Sequence, residues 1–210
     1  MTTIAGFWDA AADSFDDEAD HGLRDPEVRA AWAARLAEWV PAGPLDVLDL
    51  GCGTGSLSLL LAARGHRLTG VDLAPRMVER ARAKLAGTGA VVLTGDAADP
   101  PVGDSRFDVV MARHVLWTIP DPETALARWV SLLRPGGRLV LVEGRWQTSG
   151  GRQPSYVPGE ELPWMGGVTA DTLTTALRPL VGTYQVHPLP DPALWGKEIA
   201  DERYAVVAEL

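Results

Sequence analysis

Val47-Leu-Asp-Leu-Gly-Cys-Gly-Thr-Gly55 is the stretch on which the reading of this chain turns. An apolar run of β-formers carries an acid, Asp49, and three glycines follow at alternate positions, Gly51, Gly53 and Gly55. The next residues, Ser56-Leu-Ser-Leu-Leu-Leu-Ala-Ala63, have the composition of a helix. Strand, tight turn and helix start, in that order, bring a backbone close to a nucleotide-like ligand. The dinucleotide fingerprint needs glycine, one residue, glycine, two residues, glycine. Here Ser56 stands at the sixth position and the third glycine comes one residue early. Asp49 is foreign to that fingerprint as well.

Strands and helices alternate outward from this turn. Asp25-Pro26 reads as a helix cap followed by proline at the first helical position. Val28, Trp32, Leu36 and Trp39 then recur at helical spacing. Pro41-Ala-Gly-Pro44 ends that helix, and Gly65 caps the one after the glycine turn. Strands are expected at about 46–50, 67–71, 90–93, 107–112, 138–142, 183–187 and 204–210, with helices at about 75–85, 121–133 and 169–180. Pro135-Gly136-Gly137 is expected to break the helix at 121–133 before the fifth strand begins at Arg138. Such alternation implies an α/β fold, a doubly wound and mostly parallel seven-stranded sheet in one domain over 1–210. Its parts would be N-terminal helices at 1–44, a core at 45–144, an insertion at 145–168, and a helix with two strands at 169–210.

Ligands of such sheets bind at the carboxyl ends of the strands, near the point where strand order reverses. The polar candidates fall on that rim. Gly51–55 follows the first strand, Asp72 ends the second, and Gly95-Asp96-Ala97 follows the third. Arg113, His114 and Trp117 follow the fourth; Glu143 and Trp146 follow the fifth. Asp72 stands where a carboxylate can accept hydrogen bonds from both hydroxyls of a ribose; a helix cap is the alternative. Met77 is equally suited to contact a base or to fill the core.

Four segments, in order and at matching spacing, resemble the class I S-adenosylmethionine (SAM) dependent methyltransferases of small-molecule type. They are the glycine turn, Gly70-Val-Asp-Leu-Ala-Pro-Arg-Met77, Gly95-Asp-Ala97, and the pair Arg106-Phe-Asp-Val-Val-Met-Ala-Arg-His114 and Leu133-Arg-Pro-Gly-Gly-Arg-Leu-Val-Leu141. The resemblance covers roughly residues 45–145. It implies a Rossmann-like sheet with the last strand antiparallel, SAM as cofactor with S-adenosylhomocysteine as product, and no metal. It assigns to the cofactor Asp49, Gly51, Cys52, Gly53, Gly55, Asp72, Leu73, Met77, Gly95, Asp96, Ala97, Arg113 and His114. Phe7-Trp-Asp-Ala-Ala-Ala-Asp-Ser-Phe-Asp-Asp-Glu-Ala-Asp-His21 resembles the N-terminal lid helix of that family, with Phe15 where the family often has tyrosine.

Composition narrows the partners. A formal charge of −9 argues against nucleic acid, whose phosphates need a basic stripe. Asp99-Pro-Pro-Val102 lies before the fourth strand and lacks a following aromatic, so it reads as a loop, not as a grip on a nucleobase amino group. No apolar run is long enough to span a bilayer. The single cysteine, Cys52, excludes an internal disulfide and a multi-cysteine metal site. A cytoplasmic monomer or homodimer acting on a small-molecule acceptor is expected, with no membrane partner.

A positioned methyl donor needs a protein that aligns a nucleophile and excludes water. A hydroxyl or carbon acceptor also benefits from a base. His114 is the best-placed candidate, with a pocket-wall role as its alternative; His21 is a second. Trp8, Phe15, Trp117, Trp146, Tyr156 and Trp164 are the candidate acceptor walls, the last three of these in or beside an aperiodic stretch, 145–168, expected to be a lid. The six acids from Asp9 to Asp20 read as solvated carboxylates or as attraction for a cationic acceptor. A short-chain reductase is excluded, because no tyrosine has lysine four residues later. A non-catalytic SAM-binding module, a SAM-dependent aminopropyl transfer or cyclisation, and methylation of a peptide or carbon acceptor remain alternatives to transfer onto the oxygen or nitrogen of a small molecule such as a secondary metabolite.

Overall fold

The structure is a computed structural model that describes residues 3–146 and 162–210. Seven strands form one sheet in the order β3-β2-β1-β4-β5-β7-β6. They are β1 (Asp46–Leu50), β2 (Arg67–Asp72), β3 (Val91–Thr94), β4 (Phe107–Arg113), β5 (Leu133–Arg145), β6 (Thr183–Pro188) and β7 (Glu202–Glu209). The first five pair in parallel, and β7 runs antiparallel to both β5 and β6. Strand order reverses between β1 and β4, so the crevice for a ligand opens above their carboxyl ends.

Alternation along the strands sends side chains to two layers. Leu48, Leu50, Val110, Leu139 and Leu141 face the layer of α6 (Pro122–Ser131) and α7 (Ala170–Leu177). Val47, Val109, Met111, Val140 and Val142 face α3 (Pro26–Trp39) and α4 (Ser56–Ala63). The remaining helices are α1 (Ile4–Ala11), α2 (Ala19–Gly22) and α5 (Pro75–Lys84). The helix expected after Asp25-Pro26 forms as read. Asp25 accepts from the amides of Glu27 and Val28 at 2.7 and 3.3 Å, and Val28, Trp32, Leu36 and Trp39 are its buried residues. Trp32 Nε1 donates to the Leu194 carbonyl at 2.7 Å, which satisfies the one polar group of that buried ring.

One expectation is corrected. Pro135-Gly136-Gly137 lies inside β5: Phe107 pairs with Leu133 and Val109 with Arg138, so the extra residues loop out as a bulge. Gly136 makes the bulge possible with φ +72°. The N-terminal segment before α3 is helical in pieces, in keeping with the helices expected over 1–44. The pieces are α1, a 3-10 turn at Phe15–Asp17, and the single turn α2. No helix among the described residues is long and apolar enough to cross a membrane.

Candidate functional site

A cavity of about 600 Å³ lies over the β1/β4 crossover, within the size range of small-ligand sites. The glycine turn forms its floor. Gly51, Gly53 and Gly55 have φ of +64°, +54° and +81°, a region that side chains rarely adopt. At Gly51 the packing forbids one too: a Cβ there would lie 2.3 Å from Val115 Cγ2. Asp72 holds the turn in place, accepting from the Gly53 amide through Oδ2 at 2.8 Å and from the Ala74 amide through Oδ1 at 2.9 Å. The alternative reading of Asp72 as a helix cap is not met, since the helix starting at Pro75 has no side-chain cap, and the carboxylate lines the cavity. Asp96 lines it as well, and its Oδ1 accepts from the Ala98 amide at 2.8 Å. Neither carboxylate has an ion-pair partner among the described residues.

The cavity brings together Trp8, Phe15, His21, Gly51, Gly53, Asp72, Leu73, Met77, Asp96, Ala97, Arg113, His114, Trp117 and Trp146. Other expected residues lie behind it. Asp49 shares the parity of Val47, so it points at α4, where it is buried and accepts from Ser58 Oγ at 2.5 Å. Burial pushes its carboxyl up to about 6. Cys52 is buried against Gly70, and desolvation holds its thiol well above the usual range, which opposes a nucleophilic role. Gly55 and Gly95 abut Leu85 and Pro101, not the cavity. Trp164 packs against the α6/α7 core layer. Tyr156 lies outside the described residues. Glu143, expected on the rim, is fully buried beneath it.

His114 is the least ordinary residue of the site. Its φ is +57°, which a non-glycine residue rarely adopts. The conformation is held from three sides. Its amide donates to the Val142 carbonyl at 2.9 Å, and its carbonyl accepts from Trp117 Nε1 at 2.7 Å. Glu143 Oε1 accepts from the next two amides, Val115 and Leu116, both at 3.0 Å. The ring stacks on Trp195 with centroids 5.8 Å apart and meets Trp146 at 4.8 Å. Burial, with Arg113, Arg203 and His21 nearby, drives its pKa well below the ordinary value, which disfavours the imidazolium. His114 Nε2 is buried with no hydrogen-bond partner among the described residues. His21 also lines the cavity, stacked on Phe15 at 4.3 Å, and burial lowers its pKa.

All six acids of the N-terminal segment have partners inside the chain, while Asp13, Asp17 and Glu18 keep the solvation expected of them, with side chains 61%, 65% and 61% exposed. Asp9 accepts from the Arg76 amide at 2.8 Å, Asp13 pairs with Arg76 and Arg80, and Asp16 pairs with Lys84 at 2.8 Å. Asp17 meets Arg24 at 2.9 Å, Glu18 meets Lys197 at 3.4 Å, and Asp20 lies 3.9 Å from Arg113. Arg76, Arg80 and Lys84 are four residues apart on α5 and share one helix face. The segment is therefore strapped along α5, with Trp8 and Phe15 against Met77.

Sequence reading missed Trp195, Lys197, Ile199 and Arg203, which complete the wall. A search for residues after parallel strands cannot find them. They precede β7 or lie near its start, and an antiparallel strand presents its beginning, not its end, to this rim. Arg203 pairs with Gly144 across the sheet, and its guanidinium lies 4.4 Å from the Trp146 ring and 5.3 Å from the Trp195 ring.

Residues 48–141 match the family model described as a methyltransferase domain. An uncharacterized methyltransferase of Mycobacterium tuberculosis is 39% identical over 121 residues, covering 57% of this chain and 47% of that protein. Nocamycin O-methyltransferase of Saccharothrix syringae is 40% identical over 116 residues, covering 52% and 41%. The chain thus spans under half the length of these two curated relatives. The N-methyltransferase NodS from Bradyrhizobium japonicum WM9, solved with S-adenosylhomocysteine, superposes with a TM-score of 0.67 at 21% identity over 96% of this chain and 97% of that one. Residues 48–141 thus match a methyltransferase domain, and the chain shares the fold of that solved N-methyltransferase.

Proposed function

We propose that the protein is a SAM-dependent methyltransferase that acts on the oxygen or nitrogen of a small molecule. The observation that carries the reading is the wall formed by Asp72 and Asp96. These two carboxylates line the cavity with no ion-pair partner among the described residues, which leaves oxygens to accept hydrogen bonds from the hydroxyl and amino groups of a nucleoside. Asp72 would hold the ribose hydroxyls, Asp96 and the Ala97 amide the adenine, and Leu73 and Met77 its faces. Gly51 and Gly53 would let the backbone approach the rest of the cofactor. SAM, when bound, supplies an activated methyl group on sulfur. The protein's share is alignment and exclusion of water, for which Trp8 and Phe15 on the strapped segment and the tryptophans opposite form the cover.

The nocamycin enzyme, named for O-methylation, favours a small-molecule acceptor. A cytoplasmic location fits the same reading. Incubation with methyl-labelled SAM and a panel of acceptors tests it, read by mass spectrometry. A product heavier by one methyl group with stoichiometric S-adenosylhomocysteine is expected. Tight SAM binding with no turnover on any acceptor would favour a non-catalytic SAM-binding module instead.

A further inference from the structure

The sheet order puts two carboxylates without an ion-pair partner on one side of the cavity and its cations, with carboxylates answering them, on the other. Asp72 and Asp96 come from β2 and the end of β3, on one side of β1. Arg113, Lys197 and Arg203 come from β4, the loop before β7 and β7 itself, on the other. On that second side Glu18 answers Lys197 and Asp20 answers Arg113. Arg203 pairs through Nη2 with Asp201 at 3.1 Å, while its Nε is buried with no partner among the described residues. The rings also gather there: Trp117, Trp146 and Trp195 surround His114, whose buried Nε2 lacks a partner as well. One unsatisfied acceptor or donor on an imidazole and one unsatisfied donor on a guanidinium thus sit on the same aromatic wall. Buried polar atoms in native proteins are rarely left so, and a bound ligand is one way to complete them.

We propose that this half of the cavity takes a planar, conjugated acceptor carrying an acidic hydroxyl, a phenol or an enol, and that the methyl group goes to its oxygen. The inference rests on the reading of the opposite half as the SAM site. Flat tryptophan faces suit a conjugated ring. A nearby guanidinium lowers the pKa of a bound hydroxyl and stabilises its oxyanion, but repels an alkylammonium. Burial beside Arg113 and Arg203 disfavours protonation of His114, which makes it a weak base. Such a base accepts a proton readily only from a hydroxyl that is already acidic. In the transfer the O–CH3 bond forms as the S–CH3 bond breaks. The bonding pair stays on the sulfur of S-adenosylhomocysteine, and the hydroxyl proton passes to His114.

The test uses the whole chain saturated with S-adenosylhomocysteine, titrated calorimetrically at pH 8 with 4-nitrophenolate, 4-nitrobenzylammonium and 4-nitrotoluene. The phenolate should bind at least about tenfold more tightly than either of the others. In Arg203→Gln that preference should shrink to within about threefold, and Arg203→Lys, which keeps the charge, should retain most of it. The ranking on the unaltered protein stands even if the Gln variant fails to fold. Equal affinities, a preference for the ammonium, or no phenolate binding would overturn the acceptor class while leaving the cofactor site standing. Failure to bind S-adenosylhomocysteine would instead overturn the cofactor reading, and the acceptor class with it.

Discussion

Lys84 Nζ lies 2.8 Å from Asp16 Oδ2, and this pair joins the N-terminal segment to the glycine turn. The same ammonium donates to Thr54 Oγ1 at 2.9 Å and Ser56 Oγ at 2.7 Å, and Thr54 donates to Asp16 at 2.5 Å. Lys84 is thus the inner end of the stripe of cations on α5, and the only one that reaches the residues between Gly53 and α4. Its outer neighbours, Arg76 and Arg80, lie in water, where ion pairs contribute little.

Lys84→Met should therefore cost more than loss of either arginine. It leaves Asp16, which is 13% exposed, without its cation, and two hydroxyls without their donor. Hydrogen bonds to charged groups set the scale, about 2 kcal/mol. For a chain of this length that corresponds to a fall of about 4–8 °C in melting temperature. SAM affinity should fall with it, because the turn proposed to lie under the cofactor loosens. An unchanged melting temperature in the Met variant would show that the strap is held by packing of Trp8 and Phe15 instead.

Asp72→Ala removes a carboxylate that braces the Gly53 amide and, in the proposed function, binds the ribose. SAM affinity should weaken by about 1–3 kcal/mol, the cost of one lost partner in a half-buried site. Calorimetry checks it, and an unaltered Kd would refute the ribose assignment.

Glu143 makes stability depend on pH in a defined direction. Burial pushes its pKa up to about 8 from the usual 4.5, against the pull of the Val115 and Leu116 amides. Between those values the folded protein holds a proton that the unfolded chain has released. Stability therefore falls as pH rises through this window and levels off above it. Glu143→Gln should flatten the fall between about pH 6 and 8. Below pH 6 the fall should become shallower but persist, because Asp49, raised to about 6, has the same sign. Denaturant titrations of both proteins at several pH values compare the slopes; parallel curves would contradict the assignment.

His114→Asn tests the wall and the base separately. Asparagine tolerates the left-handed backbone that His114 adopts, so the fold should survive. If the imidazole takes the acceptor's proton, kcat should drop about 10²–10⁴-fold with SAM affinity nearly unchanged. A loss below tenfold, or one confined to cofactor affinity, would return His114 to the wall.

Much of this was legible in one dimension. The strands β1, β2, β4 and β6 fall within a residue or so of their expected bounds, and so does α3, because periodicity and capping are local. The division of cofactor candidates was less legible. Gly51, Gly53, Asp72, Leu73, Met77, Asp96 and Ala97 reach the cavity, whereas Asp49, Cys52, Gly55 and Gly95 stand one layer back. Motif and rim position name the segment, but the parity of a strand and the packing behind a turn decide which atoms face the ligand. Asp49 shows it: one position from Leu50, it points to the opposite layer and bonds α4.

By itself the sequence determined the doubly wound sheet, the glycine turn and the carboxylate that braces it. Each follows from spacing within a few residues or from the order of strands and helices. Only the tertiary structure decided the other half of the site. It brought Trp195, Lys197 and Arg203 to the rim on an antiparallel strand, and it placed His114 between two tryptophans. It also turned six apparently free acids into a strap along α5 and its neighbours. Those partners are tens to more than a hundred residues apart in the chain for all but the local Asp17–Arg24 pair. Their contact depends on chain reversal and long-range packing, which no local spacing encodes.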